Sequence, residues 1–354
     1  MKIGLVTMHW GRNYGALLQA YATFAYLHKK GYDVEIINYK PRMYDARMID
    51  FILHPTRLMG LSETLTKQAI DRKIAVFRNR LLKQTKRFYS ESELKDERFD
   101  YDVYISGSDQ ILNPSLTLHG EGGPTSVYYL GFADERKKRI SYASSFGCMD
   151  YPDDAAKVAS EWINNFQAMG VREDSGLRIL DKLGFKGNAV VVPDPTILLG
   201  YSLFDNISFK KSKEFEKYFY VHTLRSKKID IPATGIEGVK VLFGDRIGAM
   251  RLDEWLNKLY NSKGVITNSY HASIMAVLMH KPFAVIVEEG ESSGMNDRFF
   301  TLYNRLGLMD RIVKNNQKAI CDIMRTPIDW NTVDSKAQAF REVGEEYLNT
   351  FLTE

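Results

Sequence analysis

The chain has 354 residues, of which 44 % are hydrophobic and 26 % charged, with a formal net charge of +4. That length suffices for two domains and that balance is ordinary for a globular protein. So small a charge, with no lysine or arginine run interleaved with aromatics, excludes a dedicated nucleic-acid binder. Two cysteines far apart, Cys148 and Cys321, offer neither a disulfide framework nor a metal spacing and suit a reducing compartment, so the cytoplasm is expected. No stretch has the length of a membrane span. The basic clusters Lys86-Arg87 and Arg136–Arg139 read as solvated surface, with a mild peripheral attraction to the inner, anionic membrane face left open.

The apolar run at 2–7 predicts a first buried strand. Residues 14–30 predict a helix, with Leu17, Leu18, Tyr21, Phe24, Ala25 and Leu27 in one broad apolar stripe. Gly31 ends it and 33–39 is the next strand, a βαβ opening. Residues 42–84 read as a helical insertion rich in Met, Leu and Arg. Strands follow at 102–106, 139–145, 168–172 and 188–192, with helices at 154–166 and 175–183. Residues 201–217 read as a linker. After it the alternation restarts: strands at 218–223 and 239–243, a helix at 252–261, a strand at 264–266, a polar turn from Thr267 to His271, a helix at 272–278 and a strand at 283–287. Helices at 297–306 and 337–352 close the chain. Two Rossmann-type α/β units joined by a linker leave a cleft, and ligands of such sheets sit at the carboxyl ends of the strands.

The polar turns at those strand ends are the candidate chemistry. His271 stands at a helix N-terminus beside Asn268 and Ser269, where free N–H groups and the helix dipole favour an anion. The first turn, His9 to Gly15, holds Asn13, Tyr14 and Gly15. Its glycines would let the backbone approach a ligand, and an ordinary strand–helix turn explains the same letters. The turn lacks a GxGxxG fingerprint, so it signals no dinucleotide. Asp109, flanked by Ser108 and Gln110, could orient a sugar hydroxyl or act as a base; an Asx-capped turn fits equally well. Ser145 ends a hydroxyl-rich strand. Arg172 could grip a carboxylate or phosphate, or pair with Glu173 or Asp174. Asp194 lies between two prolines. Arg298 could be a second anion ligand, and Asp297 beside it could cap the helix. His9 and His222 read as packing histidines. No nucleophile elbow, Walker loop or metal-ligand cluster is present.

An ordered set of segments, Asn13–Ala16, Leu18–Tyr21, Gly107–Gln110, Tyr142–Gly147, Val171–Glu173, Asp194–Thr196, Glu254–Leu256, Thr267–His271 and Asn304–Leu308, resembles the polysaccharide pyruvyl transferase family. The resemblance implies a GT-B-like arrangement of two Rossmann-like domains with an interdomain cleft. The expected domains are 1–205, with the insertion at about 42–90, and 206–335, with residues 336–354 as a helix packing back on the first domain. It implies transfer of pyruvate from phosphoenolpyruvate, as a ketal, onto a sugar of a surface-polysaccharide precursor, the glycan acceptor being possibly lipid-linked. No other cofactor and no metal is required.

Ketal formation needs a general acid, a base for the hydroxyl and cations for the anion. His271 suits the acid, and Asp109 or Asp194 the base. Some members of the family carry an arginine two residues before the histidine as a phosphoenolpyruvate ligand. Here Ser269 stands there, so Lys281, Arg298 or Arg12 would have to substitute. Two alternatives accompany this expectation: a GT-B glycosyltransferase using a nucleotide sugar, for which Glu288 or Glu289 is the nearest ribose partner, and a non-catalytic glycan-binding relative.

Overall fold

A computed structural model describes residues 1–10, 13–44, 61–224, 228–231, 235–236, 238–244, 250–287 and 290–353, with backbone only at 61–67 and 291–293. The strands of the first half are β1 (Lys2–Val6), β2 (Asp33–Tyr39), β3 (Gln84–Phe88), β4 (Val103–Ser106), β5 (Lys138–Ser144), β6 (Ala168–Val171) and β7 (Asn188–Val191). They form one parallel sheet in the order β3-β2-β1-β4-β5-β6-β7. Its helices are α1 (Tyr14–Lys29), α2 (Leu61–Leu81), α3 (Glu91–Asp96), α4 (Pro114–His119), α5 (Asp153–Trp162), α6 (Asp174–Lys182) and α7 (Pro195–Leu199). The second half carries β8 (Tyr218–His222), β9 (Lys240–Phe243), β10 (Gly264–Thr267) and β11 (Phe283–Val285), parallel in the order β11-β10-β8-β9. Its helices are α8 (Leu252–Asn261), α9 (Tyr270–Leu278), α10 (Asp297–Leu306) and α11 (Gln317–Arg325); α12 (Trp330–Thr353) ends the chain.

Central strands of a parallel sheet are covered on both faces, so they read as continuous apolar runs. β1, β4, β6 and β10 fit: apart from Lys2 every residue in them is buried. The edge strand β3, Gln-Thr-Lys-Arg-Phe, buries only Phe88. It lies where a helical insertion is expected, which corrects that expectation. A polar edge strand lacks the apolar signal of a central one, and its pairing with β2 supplies the order instead. Within that insertion α2 is helical, and residues 45–60 lie outside the described residues.

Two helices are buried all round, as an apolar helix must be. Every residue of α9 is buried, and so are Gly15 to Thr23 of α1. These two helices follow the innermost strands of their sheets and pack against each other. Their N-termini therefore meet where the carboxyl edges of the two sheets face one another. The terminal helix is longer than the sequence suggests. The Tyr347 hydroxyl donates to the Ser141 carbonyl at 2.7 Å, and Arg341 Nε to the Ile197 carbonyl at 2.7 Å. Its other neighbour is α10, so it touches both halves. Helices α7 and α11 have no counterpart in the sequence reading, and 163–165 is a 3₁₀ turn rather than the end of the preceding helix.

Candidate functional site

A cavity of about 370 Å³ opens between the halves. Met8, Asn13, Ala16, Asp109, Gln110, Asn113, Ser115 and Leu116 line it from the first half; Leu224, Ser269, Tyr270, His271 and Arg298 line it from the second.

His271 sits in the first turn of α9 because Ser269 caps that helix, its hydroxyl accepting from the Ala272 N–H at 3.4 Å. The imidazole is almost wholly buried, with Nε2 3.4 Å from Oδ2 of Asp194. Asp194 belongs to the other half. It caps α7, and its Oδ1 accepts from the Thr196 N–H at 3.0 Å and the Thr196 hydroxyl at 2.6 Å. Oδ2 also takes Arg172 Nη1 at 3.3 Å and faces the Ser108 hydroxyl at 3.5 Å. Burial alone would raise the Asp194 carboxyl; His271, Arg172 and the Thr196 hydroxyl together hold it well below the usual range.

The other face of the imidazole rests on α1. A Cβ built on Gly15 would lie 2.2 Å from His271 Nδ1, so only glycine fits there. Asn13 caps α1 by accepting from the Gly15 N–H at 2.9 Å. Tyr14 points away from the cavity. Its hydroxyl donates to the Met250 carbonyl at 2.8 Å and its ring stacks on Trp255 with centroids 5.0 Å apart. It is a contact between the halves rather than the ligand-binding residue expected.

Arg172 is the largest correction. It is 2 % exposed and does not line the cavity. Its guanidinium lies 3.3 Å from Asp194, 3.7 Å from Glu173 and 3.9 Å from Asp109, and stacks over Tyr270 at 4.9 Å. Burial lowers its pKa, and the carboxylates of Glu173, Asp194 and Asp109 more than offset that, so it stays above its ordinary value. It is the counter-charge of a buried carboxylate cluster. Glu173 anchors the turn after β5, accepting from the Phe146 N–H at 3.0 Å, and burial pushes its carboxyl up. Ser145 belongs to the same turn, its hydroxyl accepting from the Gly147 N–H at 3.1 Å.

Arg298 also lies over the Tyr270 ring, 5.4 Å from its centre. Its Nε is buried without a hydrogen bond, and burial, then the charge of Arg172, bring its pKa down to about 10. Gln110 Nε2 is likewise buried without a partner. Asp109 has a φ of 78°, a strained value for a non-glycine residue, where β4 leaves the sheet. Asn268 faces the loop after β8: its Oδ1 accepts from the Leu224 N–H at 2.7 Å and its Nδ2 donates to the Leu224 carbonyl at 3.1 Å. Asp297 accepts from the Ser175 N–H at 2.8 Å, which ties α10 to α6. Asn113 and Ser115 line the cavity without having been singled out in the sequence; the capping turn Asn-Pro-Ser was the available signal.

Of the expected residues, then, Asn13, Asp109, Gln110, Ser269, His271 and Arg298 line the cavity. Gly15 and Asp194 support His271, and Ser108, Ser145, Arg172, Asn268 and Tyr14 are bound into the framework. Lys281 pairs with Glu216 at 3.2 Å and stacks over Phe215, away from the cavity. Arg12, Glu288 and Glu289 lie outside the described residues. His9 is buried, with Nδ1 donating to the Thr7 carbonyl at 2.9 Å. Among the described residues no group of three His, Cys, Asp or Glu side chains could hold a metal ion.

A family profile described as polysaccharide pyruvyl transferase matches residues 13–290. No curated protein matches the chain. Among solved structures it is similar to the Staphylococcus aureus MnaA–UDP co-structure, at 11 % identity over 99 % of this chain and 97 % of that one, TM-score 0.53. A putative UDP-N-acetylglucosamine 2-epimerase from Listeria monocytogenes matches at 9 % identity over 95 % and 90 %, TM-score 0.54. Arabidopsis thaliana UGT89C1 complexed with UDP-L-rhamnose matches at 10 % identity over 98 % and 97 %, TM-score 0.50. The fold is thus GT-B-like.

These findings correct the expected donor. The structures that share the fold are described by UDP and UDP-sugars rather than phosphoenolpyruvate. The cleft gives the physical reason. A carboxylate and a phosphate on one small molecule want two cations. Arg172 is consumed by carboxylates, Lys281 is remote and Ser269 is a cap, so among the described residues Arg298 alone lines the cavity with a positive charge. Ketal transfer from phosphoenolpyruvate to a surface-polysaccharide precursor is set aside. The expected contact with the membrane face goes with that acceptor; among the described residues no helix is long and apolar enough to cross a membrane.

Proposed function

Because the chain belongs to the polysaccharide pyruvyl transferase family while its cleft is charged for another donor, we propose that it is a nucleotide-sugar-dependent glycosyltransferase. A family shares a scaffold; the donor is set by the site. One observation carries the reading: the cavity wall is divided. The first half presents the carboxamides of Asn13, Gln110 and Asn113, the Ser115 hydroxyl and a single carboxylate, Asp109. The second half presents the N-terminus of α9 and Arg298. A hydroxylated ring joined to a diphosphate has the same two parts. Amides and a carboxylate bind hydroxyls; a helix N-terminus and a guanidinium bind phosphate. The UDP and UDP-sugars named for proteins of this fold agree with it.

In this reading Nδ1 is seated on Gly15, and Nε2, buried without a hydrogen bond 3.4 Å from the Asp194 carboxylate that would stabilise the charged ring, exchanges the proton. The acceptor hydroxyl loses its proton to Nε2 as its oxygen bonds the anomeric carbon. The bond from that carbon to the phosphate oxygen breaks, and the nucleoside diphosphate leaves against Arg298 and the α9 N-terminus. Residues 1–205 and 206–335 are taken as the two domains, with 336–354 returning across them; the separate sheets on either side of residue 205 support that division. Both cysteines are free, which suits the cytoplasm.

Thermal shift with UDP-N-acetylglucosamine, UDP-glucose, CMP-sugars and phosphoenolpyruvate tests the donor. A nucleotide sugar raises the unfolding midpoint in proportion to the logarithm of its concentration. If none does, the reading fails; binding without release of the nucleoside phosphate would leave a binding protein.

A further inference from the structure

Resting on that reading, we infer that Tyr14 is a positioning residue: it draws the first half onto the second and so assembles the His271–Asp194 pair. The pair is split between the halves. Asp194 follows β7, in the first sheet; His271 follows β10, in the second. Within its own half the Tyr270 ring packs edge-on against the imidazole with centroids 5.4 Å apart, while the groups at its two nitrogens, Asp194 at Nε2 and Gly15 at Nδ1, come from the first half. A small separation of the halves removes both supports at once.

The first turn of α1 resists that separation at the imidazole itself, as the Asp297–Ser175 bond does farther off. Gly15 is the surface on which His271 rests, and its neighbour Tyr14 reaches across to the Met250 carbonyl and the Trp255 ring. His222, at the end of β8, packs edge-on against the same Trp255 with centroids 5.3 Å apart. Tyr14 is therefore joined to the second half through two elements, β8 and α8, and is covalently next to the residue that seats the imidazole. The charged groups near His271 are Asp194, Arg172 and Asp109 from the first half and Arg298 from the second. Of these pairs His271–Asp194 crosses between the halves, while Arg172 binds Asp109 and Asp194 inside the first half. The prediction is specific: loosening Tyr14 exposes His271 before the fold is lost.

Acylation of histidines by diethyl pyrocarbonate, read residue by residue by mass spectrometry on the ligand-free chain, measures this directly. In the native protein His271 reacts slowly relative to the exposed His119. Tyr14→Ala removes one hydrogen bond and one ring stack, and His271 acylation should rise about 5- to 100-fold while His119 and the buried His9 are unchanged. Tyr14→Phe keeps the stack and should restore most of the protection. Circular dichroism confirms folding of each variant. An unchanged His271 rate in folded Tyr14→Ala overturns the proposal, and so does an equal rise at His9, which would mean general loosening. The measurement needs no donor. A rise at His271 that no nucleotide sugar suppresses would uphold Tyr14 in its positioning role and remove the donor reading.

Discussion

The imidazole of His271 and the carboxylate of Asp194 come from opposite halves of the chain and meet with Nε2 3.4 Å from Oδ2. His271→Gln keeps a hydrogen-bonding side chain beside Asp194 and removes the titratable nitrogen. Turnover of the donor identified by thermal shift should fall roughly 10²- to 10⁴-fold, with donor affinity and circular dichroism unchanged. A folded variant with near-normal turnover assigns the histidine to packing.

Gly15→Ala tests the seat of that imidazole. The new methyl would stand 2.2 Å from Nδ1, so the ring or helix α1 must move. Overpacking of this kind costs about 1–3 kcal/mol. A displaced general base loses on the order of 10²-fold in rate. Urea unfolding and steady-state turnover on one preparation separate the two effects.

Arg172 and Arg298 both lie over one tyrosine ring and should fail differently. Arg172→Ala leaves Asp109, Glu173 and Asp194 without their buried counter-charge, and stability should drop by about 3–5 kcal/mol. Arg298 faces the cavity, so Arg298→Ala should weaken nucleotide-sugar binding about 30- to 150-fold, the loss of roughly 2–3 kcal/mol for a charge-assisted contact, with a small change in midpoint. Calorimetric titration of both variants decides: equal binding losses would place Arg172 at the ligand.

Acid sensitivity should trace to His9. Its imidazole is buried, and burial brings its pKa down to about 4. The unfolded chain therefore binds a proton between pH 6.5 and about 4 that the folded one does not, and stability falls by up to about 3 kcal/mol as pH drops through that window. Asp194 works lower: its carboxylate, held below the usual range, stabilises above the unfolded value near 3.9 and is lost only in stronger acid. Glu173, raised by burial, has the opposite sign; its contribution is present in acid and lost as pH rises through its folded value. Comparing urea midpoints of wild type and His9→Gln at pH 7 and pH 4.5 cancels the last two. A wild-type drop no larger than the variant's would contradict the assignment.

The sequence by itself determined the alternation. Buried parallel strands and the helices covering them are written locally, as β-branched runs and apolar stripes, so the two α/β units, the restart near residue 218 and the polar turn carrying His271 were legible. The capping roles of Asn13, Asp194 and Ser269 were not read from the sequence, although each acts on an N–H group only two or three residues ahead. The edge strand β3 was not, since its pairing with β2 is a long-range contact that its polar letters do not announce. Only the tertiary structure decided which polar residues face a ligand. Arg172 and Arg298 are equally basic in the sequence. Three carboxylates drawn together from two separate turns and the strand end carrying Arg172 itself consume the first, and the second is left on the cavity wall. Charge balance in a cleft is a sum over residues far apart in the chain, and that sum exists only once the chain has folded.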